Sequence, residues 1–170
     1  MMETNSVKLY SLSLGNSRAL AFSGLFILGN IILPQVCHLM PQGGLIFLPI
    51  YFFTLIGAYK YGWQVGLLTA LASPLVNHLL FGMPAAAVLP ALMIKSSLLA
   101  LGAAWVARRF SKVSILLLLA VVLGYQLTGS LIESAMYGSF SAGFQDFRIG
   151  LPGMLLQIVG GYLVLSVSKR

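Results

Sequence analysis

The chain has 170 residues, of which 59% are hydrophobic and only 8% charged, and its formal net charge is +7. A soluble domain carries roughly 25% charged residues, so this composition excludes a water-exposed globule and points to lipid as the solvent. The cations sit in short gaps between apolar runs rather than on one patch, which argues against nucleic acid and for acidic lipid headgroups as their partners.

A spanning helix needs about 20 apolar residues, so the length leaves room for about six. The expected fold class is an all-α integral membrane bundle. Residues 1–18 read as a short polar and basic cytoplasmic lead-in, and 19–170 as the six-helix transmembrane domain. The first predicted span runs from about Ala19 to Val36 and stops at the Pro34, Pro41, Gly43 and Gly44 region. The second covers about Leu45 to Tyr59, short enough to be partly covered by its neighbours. The third covers Gln64 to Phe81, the fourth Ala85 to Ala107, and the fifth Val113 to Tyr137. A polar loop from Ser139 to Arg148 leads to the sixth, Leu151 to Val167.

With the N-terminus inside, Lys8, Arg18, Lys60, Arg108, Arg109, Lys112, Lys169 and Arg170 all fall on the cytoplasmic side, and only Arg148 falls outside. The positive-inside rule therefore predicts cytoplasmic N- and C-termini. Cys37 is the sole cysteine, which rules out an intramolecular disulfide or a thiolate metal cluster. Leu-Pro-Gln-Val-Cys at 33–37 is a poor lipoprotein box because of Val36, and no small-x-small cleavage site follows the first apolar run.

Ionisable groups inside a bilayer are costly and mark functional sites. Lys95 lies ten residues into the fourth predicted span, about 15 Å deep at 1.5 Å per residue. Glu133 sits near the outer end of the fifth. Asn77 and His78 fall in the outer half of the third, and His38 and Gln42 in the adjacent outer loop. Gln126, Gly129, Ser130, Glu133 and Tyr137 share one helical stripe, as do Ala70, Ser73, Pro74 and Asn77. Such stripes face protein or a water-filled cavity. The expectation is a polar pocket open to the outside, with Lys95, Glu133, Asn77, Gln126, His78, His38 and Gln42 as candidate substrate-binding residues. For Lys95, pairing with Glu133 and contact with a substrate both stand open.

No His-Glu-x-x-His, Gly-x-Ser-x-Gly or phosphate-loop pattern occurs. The expectation is therefore no enzyme, no cofactor and no metal.

The Lys60-Tyr61-Gly62-Trp63-Gln64-Val65-Gly66 turn, the Ser73-Pro74 pair and Leu80-Phe81-Gly82-Met83-Pro84, followed by Pro90 and Met93, carry a resemblance. Over Pro49 to Arg109 the chain resembles the substrate-binding membrane subunit (S component) of energy-coupling factor (ECF) vitamin transporters. The resemblance implies a subunit of the prokaryotic cytoplasmic membrane that captures a vitamin-like molecule from outside. It implies as partners a transmembrane coupling subunit and two ATPases, with reorientation in the bilayer to release the cargo. It also implies docking through small residues of the first span, here Ala19, Ser23 and Gly24, for which helix packing within the chain is the equal alternative. Lys95 favours a carboxylate-bearing ligand provided Glu133 does not neutralise it. The alternatives are a non-enzymatic scaffold of the cell-wall elongation machinery type, similar in size and layout, and a self-sufficient small transporter or channel. The lack of polar residues in the inner half of the spans argues against the last.

Overall fold

The computed structural model describes residues 9–167, and among them every regular element is helical, with no strand. Lys8, Lys169 and Arg170, three of the cations used to orient the chain, lie outside the described residues. The helices are α1 (Ser17–Cys37), α2 (Gly43–Phe47), α3 (Phe52–Tyr61), α4 (Trp63–Phe81), α5 (Leu89–Phe110) and α6 (Ile115–Tyr137), then α7 (Phe140–Gly143), α8 (Gln145–Ile149), α9 (Leu151–Leu155) and α10 (Gly161–Val167). A 3-10 turn at Pro49–Tyr51 joins α2 to α3, and a π-helical turn at Leu156–Gly160 joins α9 to α10.

Five segments of 19–23 residues are long and apolar enough to cross a membrane: α1, the composite Gly43–Tyr61, α4, α5 and α6. The sixth, Leu151–Val167, is apolar but shorter. The chain is a multi-pass membrane protein. Its apolar surface fits that solvent, since Leu20, Leu25, Leu28 and Ile32 on α1 and Leu79 and Leu80 on α4 stand exposed.

Successive crossings alternate in direction, and two contacts fix which ends meet. The Tyr10 and Leu12 amides donate to the carbonyls of Lys60 and Tyr61 at 2.8 and 3.1 Å. The Tyr59 hydroxyl donates to the Lys112 carbonyl at 2.6 Å. Arg18, Lys60, Arg108, Arg109 and Lys112 therefore gather at one end of the bundle. The loops around residues 38–48, 82–88 and 138–150 form the other.

Gly43–Tyr61 is the most enclosed span, with 67% of its window buried against 28–44% for the others. It is not one helix. Leu48 adopts a left-handed conformation (φ 46°), and Pro49 follows without an amide proton, so the helical ladder breaks between α2 and α3. Non-helical backbone at membrane depth is tolerated only where protein or a cavity covers it. α3 leads through Gly62, at φ 101°, into α4, a backbone conformation that side chains with a Cβ rarely adopt. One turn later a Cβ on Gly66 would lie 2.4 Å from the Ala58 Cβ, so only glycine lets α4 approach α3 so closely.

The first span ends at Cys37, one residue past its predicted end. Pro34 lies inside α1, which continues to Cys37. Proline cannot donate to the carbonyl four residues earlier, leaving the Asn30 carbonyl without its helical donor. The Asn77 side-chain amide of α4 takes that place, donating to Asn30 O at 2.9 Å. Asn30 also donates to Thr54 Oγ1 (3.1 Å) and Ser73 Oγ (3.2 Å), and its Oδ1 accepts from the Phe53 amide at 3.3 Å. One buried side chain thus ties α1 to α3 and α4.

Candidate ligand-binding site

At the end opposite the cations lies a cavity of about 640 Å³, within the range of small-molecule sites. The broken span supplies one wall, through Pro49, Ile50 and Tyr51. The 82–88 loop supplies another, through Met83, Pro84 and Val88, and α8 a third, through Asp146. Beneath it the basic half is packed with Leu55, Val65, Leu99, Ala103, Leu118 and Val122, all fully buried.

Lys95 enters from α5. The helix begins at Leu89, and residues 85–87 belong to the preceding loop. Lys95 is therefore six residues from the helix start, about 9 Å rather than 15 Å at 1.5 Å per residue. Its side chain is 1% exposed and forms ion pairs with both Glu133 and Asp146. The ammonium donates to Asp146 Oδ2 at 2.9 Å. The stem crosses α6 at Gly129, where an added Cβ would stand 2.5 Å from Lys95 Cγ. Gly129 is the notch that lets a lysine on α5 reach a carboxylate one turn further along α6.

Asp146 is the residue that sequence reasoning missed. It lay in a segment read as an outer polar loop, which folds into α7 and α8 and turns Asp146 inward. Charge scarcity was the available signal, because the chain holds only three acidic residues and two of them meet at Lys95. The expectation of a carboxylate-bearing ligand required Lys95 to be free of internal counter-charge. It faces two carboxylates.

Asn77 lines the cavity and is 2% exposed. Its Nδ2 donates to two carbonyls, Asn30 O and Ser73 O, each at 2.9 Å. Carbonyls only accept, so the amide orientation is fixed, and Oδ1 is a buried acceptor without a partner. His38 and Gln42 also line the cavity, at the α1–α2 connection.

The remaining expected site residues lie elsewhere. His78 does not line the cavity. Its Nδ1 meets the Pro84 carbonyl at 2.8 Å, so Nδ1 carries the proton and the ring anchors the 82–88 loop. The Tyr137 hydroxyl holds the same loop from α6, donating to Ala87 O at 3.0 Å. Gln126 is fully buried, seven residues below Glu133 on α6, and is not among the cavity-lining side chains. Tyr51 links the cavity to that deeper layer. Its ring centroid lies 5.3 Å from that of Tyr125, whose hydroxyl donates to Gln157 Oε1 of the π turn at 2.9 Å.

For the small-residue stripe on α1, burial favours internal packing over docking. Ala19 and Ser23 are 0% and 1% exposed, so this pair packs within the bundle and offers no docking surface. Gly24 is exposed and has open space around it.

Comparison with protein-family models, with curated proteins and with solved structures finds no match.

Proposed function

We propose that this chain is the substrate-capture subunit of an ECF-type ATP-driven importer in a prokaryotic cytoplasmic membrane, and that it binds a vitamin-like small molecule in the cavity beside Lys95. The observation that carries this reading is the cavity itself. It is enclosed by a broken span and an anchored loop, and lined by a charge cluster and an unpartnered amide oxygen. Discontinuous spans with irregular backbone at a ligand site are a recurring device of membrane transporters. The positive-inside rule places the cation-rich end in the cytoplasm and the cavity outside. Packed apolar side chains beneath the cavity support capture rather than conduction. Transport then requires the coupling subunit and two ATPases that the family resemblance implies.

The scaffold alternative draws on one observation, the internal pairing of Lys95 with Glu133 and Asp146, which needs no ligand. It gives no role to a 640 Å³ cavity.

Native mass spectrometry of the detergent-purified chain decides between them. Capture predicts a stoichiometric small-molecule adduct that disappears in Asn77→Ala. An apo spectrum, together with thermal unfolding unmoved by a vitamin panel, would transfer the reading to the scaffold.

A further inference from the structure

We infer that the group recognised beside Lys95 is a cationic N–H donor on an apolar body, not a carboxylate; this rests on the capture reading above. The ionisable side chains lining the cavity are Lys95, Glu133, Asp146, His38 and Tyr51. Lys95 is already committed to both carboxylates, with Asp146 Oδ2 at 2.9 Å. Two carboxylates around one ammonium hold either a net negative charge or a bound proton. An entering anion finds no uncommitted ammonium there and meets the second carboxylate. An entering cation cancels the surplus charge or takes the proton's place.

Hydrogen bonding points the same way. The Asn77 amide nitrogen is committed to Asn30 O and Ser73 O. What remains is Oδ1, which can only accept and which has no partner. A ligand that brings donors satisfies it, whereas a ligand that brings only carboxylate oxygens leaves a buried acceptor unmet. Beyond His38, Gln42 and Gln145, most of the wall, including Ile50, Tyr51, Val88 and Leu92, is apolar or aromatic and suits a compact hydrophobic or ring-shaped body. An ammonium, amidinium or protonated heterocycle on such a body fits this surface.

The test uses the full chain in detergent and two sets of probes matched in body and differing in charge. One set is tryptamine, tryptophol and indolepropionate; the other is pyridoxamine, pyridoxine and pyridoxate. Affinities are measured by calorimetry, with thermal unfolding as a second readout. The expected order within a set is cation, then alcohol, then anion, with the cation at least about tenfold tighter than the anion, one decade of affinity. Asp146→Asn or Glu133→Gln, whichever stays folded by size-exclusion chromatography, is expected to narrow that ratio several-fold. Equal affinities, or a preference for the anion, overturn the cationic assignment and leave the capture reading standing. No response to any probe at millimolar concentration overturns both.

Discussion

Gly129→Ala adds one methyl group where the Lys95 stem crosses α6, and the structure sets the size of the consequence. The new Cβ would lie 2.5 Å from Lys95 Cγ and 3.4 Å from both Cδ and Cε. Carbon atoms pack at about 3.5–4.0 Å, so the Cγ contact is too short by about 1 Å. Relief requires the stem to move or α5 and α6 to part, and such overpacking costs about 1–3 kcal/mol. Alanine in a helix gains about 0.5–1 kcal/mol over glycine, which leaves a net loss of about 0–2.5 kcal/mol. A stem shifted by about 1 Å also stretches the 2.9 Å contact to Asp146 past hydrogen-bonding range. Removing the offending atom tests the cause. In the Lys95→Ala background no Cγ exists, so Gly129→Ala is expected to be neutral or stabilising there. Thermal unfolding of the four proteins in detergent gives the coupling energy, expected at about 2 kcal/mol. If Gly129→Ala has the same effect in both backgrounds, the notch account is wrong.

Lys95→Met leaves two carboxylates facing one another without a cation, and breaking a buried pair in this way costs about 3–5 kcal/mol. Adding Glu133→Gln and Asp146→Asn should restore most of it, and a triple variant as unstable as the single would refute the charge assignment. Asn30→Leu removes the side-chain links to Thr54 and Ser73 and strands the Phe53 amide. The expected loss is about 1–3 kcal/mol, with faster proteolysis at the cavity end as an independent readout. Tyr125→Phe deletes the hydroxyl that donates to Gln157 and should cost about 1 kcal/mol. An unchanged melting temperature there would mean that the π turn is held by packing alone.

Composition and the spacing of apolar runs determined the solvent, the fold class and the approximate crossings, because a bilayer demands long apolar helices whatever their neighbours. The alternation of cations predicted an end rich in positive charge, and Lys60, Arg108, Arg109 and Lys112 gather at one. Lys95, Glu133 and Asn77 stood out for a similar reason, since buried polar groups in lipid are costly enough to be conspicuous one at a time. Pro34 shows where that reasoning stopped. The predicted span already runs past it to Val36, but nothing local shows that Asn77, 43 residues later, donates to the carbonyl the proline leaves bare. Ala19 and Ser23 left docking and internal packing equally open, because helix periodicity identifies a face but not what the face meets, and they are buried inside the bundle. Asp146 looked like loop and became the second counter-charge of Lys95, and Gly129 looked like a neutral member of a stripe and became its passage. Spacing along a helix is local, so the sequence determined it alone. Pairing across helices depends on which neighbours arrive and at what distance, and only the packed bundle decided that.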